Sequence, residues 1–292
     1  MKKVILCPNP YRDINFNGAR KADAILRESG LETVFCLPFK PDDSFVPPDD
    51  IVCKPLQQEL RNGDLIIAFG GDGTILHLAK TASMRSIPLL GVNLGTLGFM
   101  SDLEVSEMDL LANIAAGRYK CERRMMLDVS VIRDGRMVFN NIALNDAVIC
   151  KGTMARVVSL QVNTGAQVLG VFEGDGVVVA TPTGSTGYSL SAGGPIVEPT
   201  AQNFVISPVC VHTVFSKSFV LSAGGVVTVT PASSHRKQVY LSVDGGKAFS
   251  LRYGDQVRIS RSRYSTDLMR LTDKSIYEIL GNKMTGGIGH EK

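Results

Sequence analysis

Residues 64–74 read DLIIAFGGDGT, an apolar run that ends abruptly in glycines. Leu65–Phe69 is bounded by turn-forming residues and predicts a buried parallel strand. The glycines would let the backbone turn sharply and approach a ligand closely. A helical pattern follows from Ile75, and the first N–H groups of a helix attract phosphate. We therefore expect a phosphate-binding loop, formed by Gly70, Gly71, Gly73 and Thr74.

Asp72 lies inside this loop, where the backbone would meet the ligand. A carboxylate beside a phosphate is electrostatically unfavourable unless it holds a metal ion or accepts a proton. This predicts chemistry at Asp72. The alternative is an ordinary turn with a surface carboxylate, because glycine-rich turns are common.

Composition narrows the class of protein. The chain has 292 residues, 44% of them hydrophobic, so two domains with sizeable cores are possible. The net charge of +3 is too small to argue for a nucleic-acid partner. Six scattered cysteines without a CxxC pair are typical of reduced thiols. No stretch resembles a signal peptide or a membrane span, so we expect a cytoplasmic protein without a membrane partner.

The chain changes character near Cys121. Apolar strands and helical patterns alternate before it, including a short helix over 52–61 and a helix N-capped by Ser106, which predicts an open parallel α/β (Rossmann-like) domain. From Met126 to about Ser260 apolar residues recur at every second position, and Asp134-Gly135 is typical of a hairpin turn. Together these features predict a β-sandwich. A final helix over 275–283 is expected to return to the first domain. The predicted domains are 1–121 with 266–292, and 122–265.

Three more polar clusters are candidates for binding or for plain turns. Asn145-Asp146 interrupts an apolar strand and suits ribose hydroxyls, although a β-bulge would look the same. Residues 174–195 combine many glycines with Ser and Thr hydroxyls, which suit a dinucleotide better than a linker, and Tyr188 could stack on a base. The turn chemistry of 243–246, VDGG, favours an ordinary hairpin. No residue cluster has the spacing of a preformed metal site.

Together these motifs resemble one family. GGDGT at 70–74, NLGTLGF at 93–99, LND at 144–146 and DGVVVATPTGSTGYSLSAGGPI at 175–196 are similar, in order and spacing, to those of the NAD kinases. The resemblance implies an α/β domain, a β-sandwich and a returning C-terminal segment. It also implies transfer of the γ-phosphoryl group of ATP to the adenosine ribose 2′-hydroxyl of NAD, with a divalent cation such as Mg²⁺. Relatives form homodimers or homotetramers.

The resemblance also implies roles for particular residues. Asp72 matches the general base, and Asn145 with Asp146 matches the polar pair that holds NAD. Asp175 matches an acid that contacts NAD, sometimes from a neighbouring subunit. The full set of expected NAD-binding residues is Asp72, Gly73, His77, Asn145, Asp146, Arg156, Glu173, Asp175, Thr186, Gly187, Tyr188, Ser189, Leu190 and Ser191. Because these come from both domains, the expected site lies between them.

Some positions depart from the family pattern. Asp146 stands where most relatives have Glu, and Gly187 stands where Ala is usual. Gly246 replaces a Gln of many bacterial relatives, while Glu173 and Arg156 replace a basic residue and a His of some relatives. None of these changes removes the expected base or the phosphate loop.

Two other functions remain open from the sequence. GGDG also occurs in diacylglycerol-type lipid kinases, although no exposed apolar entry segment is evident here. A non-catalytic sensor that binds NAD(P) is the second alternative. Formation of NADP from NAD and ATP would distinguish these three readings.

Overall fold

A computed structural model describes residues 1–95, 98–152, 156–212, 217–232 and 238–284. The chain forms two compact units, one of Met1–Arg123 with Thr266–Lys292 and one of Arg124–Ser265. None of the helices in the described ranges has the length and apolar character needed to span a bilayer.

The first unit is built on a parallel sheet. Its elements in chain order are β1 (Lys3–Pro8), a 3₁₀ turn (Ile14–Phe16), α1 (Asn17–Glu28), β2 (Glu32–Cys36), β3 (Cys53–Lys54), α2 (Leu56–Glu59), β4 (Leu65–Gly70), α3 (Asp72–Ser83), β5 (Leu89–Asn93), β6 (Leu103–Glu104) and a 3₁₀ helix (Val105–Ile114). The strand order is β3-β2-β1-β4-β5, with β6 beside β5. All these pairs are parallel, as expected for apolar strands covered on both faces.

The two faces of this sheet carry different helices. Val4 and Leu6 face a core shared with α1 and the 3₁₀ helix. The opposite face meets α3, since a Cβ added at Gly91 would lie 2.6 Å from the Ile75 side chain. The chain therefore crosses from β1 to β2 over one face, and from β4 to β5 over the other. This reversal creates a switch point between the carboxyl ends of β1 and β4, where open α/β sheets bind ligands.

The second unit is a β-sandwich. Its elements are β7 (Lys120–Arg133, which starts in the first unit), β8 (Arg136–Ala143), β9 (Asp146–Lys151), β10 (Val158–Thr164), β11 (Gln167–Gly174), β12 (Gly176–Ala180), a 3₁₀ turn (Thr183–Thr186), α4 (Tyr188–Ser191), β13 (Asn203–Val209), β14 (Phe219–Ser222), β15 (Val226–Pro231), β16 (Val239–Val243), β17 (Phe249–Leu251) and β18 (Gln256–Arg270). One sheet runs β11-β10-β15-β18-β7-β8, and the other runs β14-β13-β12-β9-β16-β17. Alternate apolar residues of both sheets form one buried core.

The chain returns to the first unit at Thr266. Within β18, Leu268 pairs in parallel with Leu89 of β5. The last described element is α5 (Ile276–Met284). The parallel α/β unit, the sandwich and this returning segment confirm the fold class expected from the sequence.

Three local expectations differ from the structure. The helix after β6 is capped by Glu104 rather than Ser106, because Glu104 and Glu107 exchange side-chain and backbone hydrogen bonds as a capping box. The helix expected over 52–61 is only the single turn α2. The strand β13 was not expected, and it contains Pro208, a residue type that is rare inside sheets.

Candidate active site

The glycine loop after β4 is shaped by close packing. A Cβ at Gly70 would lie 2.3 Å from the Thr74 hydroxyl oxygen, so only glycine fits there. That hydroxyl is buried and accepts a hydrogen bond of 2.9 Å from the Asn9 amide, which follows β1. Gly73 is exposed, and a Cβ there would meet nothing within 4 Å. The loop therefore presents open backbone at Gly73, while Thr74 joins it to the end of β1.

Asp72 begins α3 and is held by the loop that follows β5. Its two carboxylate oxygens accept backbone N–H groups from Phe99 at 2.8 Å and Met100 at 3.1 Å. A Cβ at Gly98 would lie 2.0 Å from the same carboxylate. The loop can close on Asp72 only because residue 98 is glycine. The intervening positions 96 and 97 lie outside the described residues.

His77 lies one turn further along α3. Its exposed ring packs against Phe39, with ring centroids 4.8 Å apart and planes tilted by 47°. The ring of His77 therefore has an aromatic neighbour in this unit, and its expected contact with NAD stays a prediction.

In the second unit, Asp146 begins β9 and is buried, while Asn145 directly precedes it and is half-buried. Asp146 is 6% exposed, and among the described residues its carboxylate has no hydrogen bond. The side-chain oxygen of Asn145 is buried without a partner in the same part of the chain. Buried polar atoms normally have partners, so these two side chains are suited to a polar ligand.

Asp244 holds this pair from the neighbouring hairpin. One oxygen accepts N–H groups from Asn145 at 2.8 Å and Asp146 at 3.0 Å, and the other accepts the N–H of Leu144 at 2.7 Å. The hairpin expected at 243–246 is present, with Asp244 at φ 49° and Gly245 at φ 69°. The VDGG pattern favours an ordinary hairpin turn, and nothing in it indicates that Asp244 positions Asn145 and Asp146.

The charges of Asp146 and Asp244 act on each other. Burial, followed by the negative charge of Asp244, raises the pKa of Asp146 to about 7. Burial also raises the pKa of Asp244, although its three N–H donors oppose that effect. A buried carboxyl group whose pKa is raised to near neutral pH is a candidate for function.

The glycine- and hydroxyl-rich segment packs against this pair. Thr181 donates its hydroxyl to the Leu144 carbonyl and its N–H to the Asn145 carbonyl. A Cβ at Gly184 would lie 2.1 Å from the Asn145 carbonyl oxygen, so this glycine permits the close approach. A Cβ at Gly187 would lie 3.6 Å from the Asn145 amide nitrogen and 3.9 Å from the Asp146 carboxylate.

The segment divides its side chains between structure and exposed surface. Ser189 is fully buried and bonds the Ser207 hydroxyl at 2.9 Å, while the Thr186 hydroxyl bonds the Thr183 carbonyl at 3.2 Å. Tyr188, Leu190 and Ser191 are exposed. Of the hydroxyls expected to bind NAD, that of Ser189 is thus engaged inside the protein.

The remaining residues of the second unit that are expected to bind NAD have different surroundings. The Asp175 carboxylate forms an ion pair of 2.6 Å with Lys151. Burial chiefly raises the pKa of Tyr188, and the charges of Cys150, Cys210, Asp175 and Asp146 add to it in that order. Glu173 and Arg156 are exposed, and within the described residues their side chains form no hydrogen bond or ion pair with this group. The structure thus brings together Asn145, Asp146 and Gly187, while the contacts expected of Asp175 and Tyr188 with NAD stay predictions.

Within the described residues, no three His, Cys, Asp or Glu side chains are close enough to hold an ion. Asp72 is the carboxylate of the glycine loop, and one carboxylate together with substrate phosphates is a common way for proteins to hold Mg²⁺.

Comparison with known proteins covers both units. Residues 40–119 match the model of the ATP-NAD kinase N-terminal domain, and residues 144–271 match that of the C-terminal domain. A NAD kinase of Natranaerobius thermophilus is 41% identical over 77% of this chain and 78% of its own length. A NAD kinase of Acetivibrio thermocellus is 32% identical over 97% of both chains.

Solved structures share the fold. A yeast NADH kinase complexed with NADH superposes with a TM-score of 0.81 at 26% identity, over 100% of this chain and 89% of that one. A NAD kinase from Archaeoglobus fulgidus in complex with ATP gives 0.74 at 23% identity, over 99% and 100%. Since relatives above 30% identity span nearly the whole chain, the protein belongs to the NAD kinase family.

Proposed function

We propose that this protein transfers the γ-phosphoryl group of ATP to the adenosine ribose 2′-hydroxyl of NAD, giving NADP and ADP. Family membership across both units is the observation that carries the proposal. In this reaction the 2′-oxygen bonds to the γ-phosphorus, while the bond from that phosphorus to the bridging oxygen of ADP breaks. The hydroxyl proton must go to a base.

Asp72 is the proposed base. A carboxylate offers about four acceptor positions, so the two N–H bonds from Phe99 and Met100 leave room for a ribose hydroxyl. Those bonds also fix the orientation of the carboxylate before the substrate arrives. In phosphoryl transfer such positioning and charge stabilisation supply most of the catalysis. The backbone of the loop from Gly70 to Thr74 is proposed to approach the phosphates.

The acceptor is proposed to lie against the second unit. The Asp146 carboxylate would accept hydrogen bonds from the ribose hydroxyls of NAD, and the Asn145 amide would both donate and accept, with Tyr188 and Asp175 as further proposed contacts. Gly73, His77, Arg156, Glu173 and the residues from Thr186 to Ser191 remain proposed NAD contacts. Mg²⁺ is proposed to arrive on the ATP phosphates, where it would neutralise their charge. We further propose a cytoplasmic homodimer or homotetramer.

The test is formation of NADP by the purified full-length protein with ATP, Mg²⁺ and NAD. Asp72→Asn should lower kcat by roughly 10²- to 10⁴-fold, the usual contribution of a general base. The KM for NAD should change little, since the proposed ribose ligands Asn145 and Asp146 are unaltered, although the new amide turns a donor toward the N–H of Phe99 or Met100. Asp49→Asn, at an exposed carboxylate of the same unit, is the control. Near-normal turnover of Asp72→Asn would rule out the base, and NAD binding without any product would favour a sensor.

A further inference from the structure

A cavity of about 810 Å³ lies at the carboxyl edge of the parallel sheet in the first unit. It is lined by the segment after β1, the start of α1, the end of β5 and the start of the following 3₁₀ helix. The charged and amide side chains on its wall are Arg12, Asp13, Asn17, Lys21, Asn93 and Glu104. None of these residues belongs to the motifs that predicted the active site, apart from Asn93.

Arg12 is fixed beside the glycine loop by its own backbone. Its N–H bonds the Asn9 carbonyl at 3.1 Å, and the Asn9 N–H bonds the Phe69 carbonyl at 2.9 Å. The Asn9 amide also bonds Thr74, so the segment after β1 is tied to both sides of the loop after β4. Arg12 therefore stands at the switch point between β1 and β4, where the topology favours a ligand.

The guanidinium of Arg12 lies over two glycines. A Cβ at Gly95 would be 3.4 Å from its Nη1 atom, and a Cβ at Gly71 would be 3.9 Å from the same atom. The exposed Arg12 side chain thus borders the proposed phosphate loop on one side and the loop after β5 on the other. A guanidinium offers several N–H donors in a planar fork, which suits phosphate oxygens.

The acidic residues of the cavity wall are engaged elsewhere. The Asp13 carboxylate accepts the N–H groups of Gly18 and Ala19 at 2.8 and 3.0 Å, at the start of α1. The Glu104 side chain accepts a backbone N–H in the capping box. Lys21 has an acidic neighbour, since its Nζ lies 3.6 Å from Asp109. Within the described ranges, the Arg12 guanidinium has neither an ion pair nor a hydrogen bond.

Asn93 provides a second polar group on the same wall. It is 5% exposed, and its amide nitrogen donates to the Gly95 carbonyl at 2.7 Å. Its side-chain oxygen is buried and has no partner among the described residues. Such an atom is costly unless a ligand or water donates to it. A nucleoside has hydroxyl and amino groups that can do so, whereas an inorganic phosphate chain at neutral pH has few.

We infer that Arg12 binds the phosphate chain of the phosphoryl donor in this cavity, and that Asn93 accepts a hydrogen bond from its nucleoside. The inference rests on the proposed function for the identity of the donor. It adds a binding residue outside the GGDGT motif, on the segment after β1. It also predicts that a nucleoside triphosphate binds more tightly than a bare chain of three phosphates.

The test compares wild-type protein with Arg12→Gln and Arg12→Lys. Calorimetry measures the Kd for ATP and for inorganic tripolyphosphate, and steady-state kinetics measures the KM for ATP and for NAD. Arg12→Gln should weaken the binding of both phosphate ligands by about 10- to 100-fold, the range of one or two charge-assisted hydrogen bonds. Arg12→Lys should restore part of that loss, because it keeps the charge without the fork. The control is Arg85→Gln, at an exposed arginine just beyond the other end of α3.

Several results would overturn the assignment. These are an unchanged Kd for ATP in Arg12→Gln, a loss confined to one of the two phosphate ligands, or an equal rise in the KM for NAD. Failure of the wild-type protein to bind tripolyphosphate would overturn it as well. If the wild-type protein makes no NADP, the proposed function is refuted instead. The Kd for tripolyphosphate in wild type and Arg12→Gln would still show whether Arg12 binds phosphate.

Discussion

Asp146 makes the stability of the second unit depend on pH in a predictable direction. Its carboxyl group has an ordinary pKa of 3.8, which burial and the charge of Asp244 raise to about 7 in the folded protein. Folding therefore takes up a proton between these two values. The contribution of this group to stability is complete below pH 4 and is lost as the pH rises through 7.

The size of the effect follows from the two pKa values. Each pKa unit corresponds to about 1.4 kcal/mol, so ionisation of Asp146 costs the folded state about 4 kcal/mol at pH 8. Asp146→Asn replaces the carboxylate with a neutral group of the same shape. We therefore expect the variant to match the wild type at pH 4 and to be more stable at pH 8, by up to that amount. The KM for NAD should rise at pH 8, since the carboxylate is a proposed ligand of the ribose.

Urea unfolding between pH 4 and 8, followed by far-UV circular dichroism, measures this difference. The chain has no tryptophan, so fluorescence is less informative. Asp134→Asn is the matched control, because Asp134 is exposed in a hairpin turn and Asn accepts its positive φ equally well. The free-energy difference between this control and the wild type should stay nearly constant with pH.

The reasoning would be refuted if Asp146→Asn showed the same decline in stability between pH 4 and 8 as the wild type. It would also be refuted if the variant were less stable than the wild type at pH 8. Either result would mean that burial does not oppose ionisation of Asp146 in the folded protein.

Two further substitutions test how the catalytic and binding carboxylates are positioned. Asp244→Asn keeps the positive φ but turns an amide donor toward one of the N–H groups of residues 144–146. The KM for NAD should therefore rise about tenfold or more, while the KM for ATP stays unchanged, as steady-state kinetics with each substrate varied would measure. An unaltered KM for NAD would contradict the positioning role of Asp244. Gly98→Ala places a Cβ 2.0 Å from the Asp72 carboxylate, so kcat should fall at least about 10²-fold, whereas Gly225→Ala, with nothing closer than 4.0 Å, should leave it unchanged. Equal kcat values for these two glycine variants would show that the orientation of Asp72 is not critical.

Much of the fold was predictable because it follows local patterns. The continuous apolar run before Gly70 indicates a strand buried on both faces, and so predicts a parallel sheet. The alternation of apolar and polar residues after Met126 indicates strands buried on one face, and so predicts a sandwich. Asp134-Gly135 predicted its hairpin because both residues tolerate positive φ, and they adopt 50° and 74°. Helix caps were less predictable, since Ser106 and Glu104 both have side chains that can accept a backbone N–H.

The candidate residues were also visible in the sequence, but their partners were not. A glycine-rich turn predicts close packing without naming what packs there, and the structure identifies the Thr74 hydroxyl at Gly70 and the Asp72 carboxylate at Gly98. Arg12 belongs to none of the sequence motifs that indicated the candidate site. Only the parallel pairing of β1 with β4 places its segment beside the glycine loop.

The sequence by itself determined which residue types this protein offers: a carboxylate in a glycine loop, an amide-carboxylate pair and a hydroxyl-rich segment. Only the tertiary structure decided how they are held. Asp244 lies about a hundred positions from Asn145 along the chain, and pairing of β16 with β9 brings its carboxylate to three backbone N–H groups. The loop that begins at Gly70 likewise receives the N–H groups of Phe99 and Met100 from the loop that follows β5. Local patterns report burial and turns, whereas the pKa of a buried carboxyl group depends on neighbours that the fold brings from distant positions.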